Sequence, residues 1–94
     1  MVVRLMISRL RSGVNRNELL ALARSQRGWL KAQPGFVSYE LYTDETTWVD
    51  RVVWRSMDEA EAAGRAFAQT EMAWELGELV QPEQQAFLGR RIEE

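Results

Sequence analysis

Thr47-Trp48-Val49-Asp50-Arg51-Val52-Val53-Trp54, followed almost at once by Ser56-Met57-Asp58-Glu59, is the stretch whose reading decides the fold. The first eight residues are rich in branched and aromatic side chains, which suits a strand. Ser56 and Glu59 stand at capping-box spacing, so a helix starts there. Trp54 therefore closes a central strand beneath the first turn of a helix. A ring in that place is either the main bolt of a small core or one wall of a ligand pocket, and both readings stay open.

Upstream, Phe36 to Thr43 alternates aromatic and branched residues with polar ones, and Asp44-Glu45-Thr46 is a short polar loop. The two strands should form a hairpin. Opposing Glu40 to Arg51 is favourable, whereas opposing it to Asp50 is not. That register puts Val37, Tyr39 and Leu41 on one face with Trp48, Val52 and Trp54. Phe36, Ser38, Glu40 and Tyr42 then share the other face with Val49, Arg51 and Val53.

Further out, residues 2–9 read as a first strand with apolar residues on both faces. Ser12-Gly13 is a turn. Asn15 and Glu18 mark a helix start, with Val14 and Leu19 placed as a hydrophobic staple. Leu19, Leu22, Ala23, Gln26 and Leu30 follow at helical spacing, Leu20 and Trp29 widen the stripe, and Pro34-Gly35 ends it. After Ser56 a helical pattern runs through Ala60, Ala63, Gly64 and Phe67. It continues through Met72, Leu76, Leu79 and Val80, with Thr70-Glu71 a kink or a second start. Residues 84–92 read as a last strand, and the tail is charged.

The order β-α-β-β-α-β predicts an α+β, ferredoxin-like four-stranded antiparallel sheet with its helices on one face. The helix-free face carries Val3, Leu5, Ile7, Phe36, Tyr42, Val49 and Val53. It is too apolar to stay wet, so a homodimer closing across that face is expected.

With 94 residues the chain fits a single domain, residues 1–94. It has no Cys and no His, which excludes disulfides and any metal site built on thiolate or imidazole. The apolar N-terminal stretch is broken by Arg4 and Arg9 and is short for a signal peptide or a membrane span, so a cytoplasmic protein is expected. A net charge of −2 without a basic stripe argues against nucleic acid as partner. Arg4, Arg9, Arg11 and Arg16 read as a solvated rim. Four Trp, three Phe and two Tyr are many for this length, and they point to an aromatic core joined to a pocket or an interface.

The element order, Pro34-Gly35-Phe36 opening the second strand, and residues 52–60 around Trp54 resemble the antibiotic biosynthesis monooxygenase-like family of dimeric α+β barrels. The resemblance covers nearly the whole chain, with the Trp54 segment its most specific part. It implies a cofactor-independent monooxygenase that acts on, or binds, a small hydrophobic or aromatic molecule between sheet and helices. The alternative is a non-catalytic dimeric binding protein of the same fold. The family's haem-degrading branch places a His ten residues beyond the Trp and an Asn on the first strand. Those positions are Gly64 and Met6 here, so haem degradation is not expected and no cofactor is implied.

In the cofactor-free branch the deprotonated substrate itself delivers electrons to dioxygen. For that chemistry Trp54, Tyr39 and Asp50 are the candidate catalytic residues: an indole N–H, a phenol, and the carboxylate on the helix-facing side. The plainer reading of Asp50, an exposed strand end or a partner of Arg4, is the one favoured. Met6, Trp48, Trp54, Gly64, Phe67 and Trp74 are the expected ligand-binding residues.

Overall fold

The structure is a computed structural model and describes residues 1–92. Glu93 and Glu94 of the charged tail lie outside the described residues. The elements are β1 (Val2–Leu10), α1 (Arg16–Lys31), β2 (Phe36–Thr43), β3 (Thr47–Trp54), α2 (Met57–Phe67), α3 (Glu71–Leu79) and β4 (Val80–Arg90). One antiparallel sheet runs β2-β3-β1-β4, so β3 and β1 are the inner strands. This is the ferredoxin-like order, with the second helical segment split in two.

Local chemistry sets the boundaries. The Asn15 side chain accepts from the N–H groups of Asn17 and Glu18 and starts α1. Ser56 accepts from the Glu59 N–H and donates to the Glu59 carboxylate, completing the cap of α2. Thr70 separates α2 from α3. Its hydroxyl donates to the Phe67 carbonyl at 2.7 Å and accepts from the Ala73 N–H at 3.3 Å, closing one helix and opening the next. The stretch from Ser56 to Val80 is therefore two helices.

The hairpin register is the one charge predicts. Glu40 faces Arg51 and the two form an ion pair, and Tyr39 faces Val52. Asp44 holds the loop by accepting from the N–H groups of Thr46 and Thr47. The register slips between Phe36 and Ser38, so Phe36 rather than Val37 stands opposite Trp54. This corrects the expected faces: the Phe36 ring packs edge-on against Trp54 at 6.1 Å on the helix side, while Val37 is exposed.

The last strand begins earlier than residue 84. Val80, expected as the final helical residue, is the fully buried first residue of β4, and Ile92 falls past its end, exposed. Arg11 explains part of this. Its side chain donates to the carbonyls of Val80 and Gly77, fixing the α3-to-β4 junction. Arg11 is thus structural while staying exposed at the rim. Leu20 is exposed and does not widen the α1 stripe.

Two apolar clusters fill the space between sheet and helices. One gathers Val2, Leu30, Tyr39, Val52, Trp54, Ala60 and Ala63. The other joins Leu19, Ala23 and Trp48, with Val14 in its predicted staple position. On the opposite sheet face Ile7, Tyr42 and Phe87 are exposed. Among the described residues, no helix is long and apolar enough to cross a membrane.

Candidate functional site

A cavity opens between the first cluster and the helices. It encloses about 100 Å³ and widens to about 620 Å³ when its opening to solvent is included. Its apolar wall comes from Trp29 and Leu30 of α1, Met6 and Val52 of the sheet, Phe67 of α2 and Leu76 of α3. Trp29 and Phe67 meet edge to face at 5.5 Å and form one side. Ala60, Ala63 and Gly64 line the α2 side, where small residues keep the helix from filling the space.

Five polar side chains also line it: Arg4, Gln26, Tyr39, Asp50 and Trp54. Asp50 sits midway along β3, paired with Met6 on one side and Leu41 on the other. It is neither a strand end nor a partner of Arg4: its carboxylate Oδ1 meets the Tyr39 hydroxyl at 3.0 Å. Burial pushes the Asp50 carboxyl up to about 6, against a smaller opposing pull from the Tyr39 hydroxyl. The Trp48 N–H acts in the same direction as Tyr39, although its geometry falls short of a hydrogen bond. A buried carboxyl held by Tyr39 at the wall of this cavity is thereby poised to exchange a proton near neutral pH.

Tyr39 is 4% exposed, and its hydroxyl also lies 2.8 Å from Gln26 Oε1. Burial, then the charge of Asp50 and its hydrogen bond, raise the phenol far above its ordinary range, opposed by Arg27, whose guanidinium stands 5.0 Å over the ring. Tyr39 therefore stays protonated and acts as a donor.

One phenolic proton cannot serve two acceptors at once. With Asp50 protonated, its O–H donates to Tyr39, which donates to Gln26 Oε1. With Asp50 ionised, Tyr39 donates to the carboxylate, and the Gln26 amide satisfies the phenol oxygen by turning its N–H toward it. The state of Asp50 is thus tied to the orientation of Gln26.

Trp54 is 2% exposed, and Gln26 3%. The indole N–H of Trp54 and the amide nitrogen of Gln26 are buried and find no protein partner. An unpaired buried donor costs about 1–3 kcal/mol, so both are suited to a ligand oxygen. Trp54 is core and pocket wall together: its body packs the cluster while its edge lines the cavity.

Of the residues expected from the sequence, Met6, Tyr39, Asp50, Trp54, Gly64 and Phe67 meet at this cavity. Trp48 and Trp74 do not. Trp48 points the same way as Asp50 but two residues down β3, where Leu19 and Ala23 cover it. Trp74 is 69% exposed on α3, in a shallow groove with Glu18, Glu75 and Glu78, because it lies on the side of α3 opposite Leu76, the residue of that helix that meets the cavity. Sequence reasoning missed Gln26 and Arg4. A polar residue at a core position of α1 was the available signal for Gln26. Among the described residues, no group of three or more acidic side chains could hold a metal ion.

No family model matches the sequence, and no curated protein is significantly similar to it. Solved structures do match along the whole chain. SnoaB, a cofactor-independent oxygenase from Streptomyces nogalater, superposes with a TM-score of 0.73 at 23% identity over 96% of this chain and 93% of that one. An antibiotic biosynthesis monooxygenase gives 0.77 at 13% identity, covering 99% and 100%. A conserved protein from Methanosarcina mazei gives 0.80 at 15% identity, covering 97% and 93%. At these identities the likeness speaks for fold, and the chain has the fold of the antibiotic biosynthesis monooxygenase-like proteins.

Proposed function

We propose that the chain is a cofactor-independent oxygenase acting on a small aromatic molecule with an acidic C–H or O–H group. The observation that carries this reading is Asp50: a carboxyl titrating near 6, bonded to Tyr39, inside an aromatic-walled cavity. Asp50 takes a proton from an activated methylene of the substrate. The resulting carbanion delivers two electrons to dioxygen and forms a C–O bond, and the Asp50 proton completes the hydroperoxide. Loss of water then leaves a carbonyl, so the substrate supplies every electron. The Trp54 and Gln26 N–H groups hold the developing oxyanion in surroundings with little water. The likeness to a cofactor-independent oxygenase supports the same chemistry.

The working unit is a cytoplasmic homodimer in which a second copy covers the exposed Ile7, Tyr42 and Phe87 on the helix-free face. The test is oxygen uptake with an anthrone-type substrate in metal-free buffer without added cofactor. Uptake that Asp50→Asn abolishes supports the reading. Binding without uptake across a substrate panel makes the protein a non-catalytic ligand carrier. Neither binding nor uptake overturns the proposal.

A further inference from the structure

Arg4 and Asp50 are diagonal neighbours on the two inner strands. Arg4 stands opposite Val52 and Asp50 opposite Met6, which separates their α-carbons by about 7–8 Å. Opposite charges so placed could pair, yet Asp50 turns to Tyr39 and Arg4 turns to α2. Among the described residues the Arg4 guanidinium meets no carboxylate, and no hydrogen-bond acceptor. It lies on the cavity wall, half-buried, over Gly64.

Gly64 is what allows this. A Cβ there would stand 3.0 Å from Arg4 Nη1, tighter than ordinary packing. Glycine inside a helix is destabilising by about 0.5–1 kcal/mol relative to alanine, and here the missing side chain leaves room for a cation facing the cavity. A guanidinium presents a planar fork that matches a carboxylate in two parallel hydrogen bonds. Half-exposure limits the desolvation that a buried ion pair would suffer.

We propose that Arg4 is a specificity-determining residue that anchors the carboxylate of an aromatic acid, the ring lying over Met6 and Phe67 toward Asp50. This rests on the cavity being a ligand site, as the proposed function requires, and narrows its ligand to a class: aromatic molecules bearing a carboxylate.

The probes are 2-naphthoate and its neutral isostere 2-naphthamide, titrated calorimetrically into the 94-residue chain. The native chain should bind the acid about tenfold or more tightly than the amide, as expected for a charge-assisted pair. Arg4→Met should remove that preference, with acid affinity falling at least about tenfold more than amide affinity. Arg4→Lys should keep part of it, and Gly64→Ala, which displaces the guanidinium while favouring the helix, should reduce it. Equal affinity for acid and amide in the native chain, or a preference that survives Arg4→Met, overturns the role of Arg4 and leaves the cavity reading standing. Binding of neither probe overturns both. Thermal melts of each variant check that the fold is retained.

Discussion

The Tyr39 hydroxyl lies 3.0 Å from Oδ1 of Asp50, so a phenol on β2 holds the carboxyl that an inner strand projects into an aromatic cavity. The sequence places both residues on the helix-facing side. Their contact is what makes Asp50 a controlled acid rather than a stray charge.

Asp50 binds its proton more tightly in the folded chain, titrating near 6 against an ordinary 3.8. Its contribution to stability is therefore full below pH 3.8 and is lost as pH rises through about 6. Asp50→Asn, which does not titrate, should be the more stable protein at pH 7, by at most about 3 kcal/mol. The gain should vanish below pH 4 in denaturant titrations. Oxygenase activity of the native chain should rise through about pH 6 as the base form appears. The variant should lose about 100-fold or more.

Tyr39→Phe removes the group that favours ionised Asp50 and leaves Gln26 without its partner. The expected loss is ~1–3 kcal/mol of stability. The inflection of the pH–rate profile should move upward, and an unchanged inflection would detach Tyr39 from the base.

Trp54 is core by burial and cavity wall by position. Trp54→Ala should lose ~3–5 kcal/mol. Trp54→Phe, which keeps an aromatic ring but leaves a smaller cavity, should lose less than Trp54→Ala. Ligand affinity separates the two roles: if Trp54→Phe binds aromatic ligands as the native protein does, the indole N–H is not a ligand donor.

Gly35 adopts φ +82, and a Cβ there would collide with the Glu59 side chain. Glu59 also belongs to the cap of α2. Gly35→Ala should therefore cost ~1–2 kcal/mol from backbone strain alone, and more through the displaced cap, measurable as a lower Tm.

The exposed aromatic residues of the helix-free face predict a dimer by sedimentation equilibrium. A charge at Phe87, as in Phe87→Glu, should shift the population to monomer. A native protein that is monomeric at micromolar concentration would remove the second-copy reading.

Periodicity made the sheet and helices legible, because strand and helix repeats depend on neighbouring residues alone. Caps at Asn15 and Ser56 were visible for the same reason, and so was the Glu40–Arg51 register, set by charge across one hairpin, whereas Thr70-Glu71 read as either a kink or a second start until the structure showed a cap there. The exchange of Phe36 for Val37 was not. One extra residue in a strand reverses which side chains face the core, and nothing local marks it. Trp74 failed similarly: its helical spacing was sound, but spacing alone did not say that the Leu76 side of α3, and not the Trp74 side, meets the cavity.

By itself, then, the sequence determined the element order, the inward side of β3, and the absence of imidazole and thiolate chemistry. Only the tertiary structure decided that Asp50 meets Tyr39 and Gln26, that Arg4 faces Gly64 instead of Asp50, and that Trp54 is wall and core together. Those outcomes depend on how elements distant in sequence pack, where burial and partners set the state of each polar group.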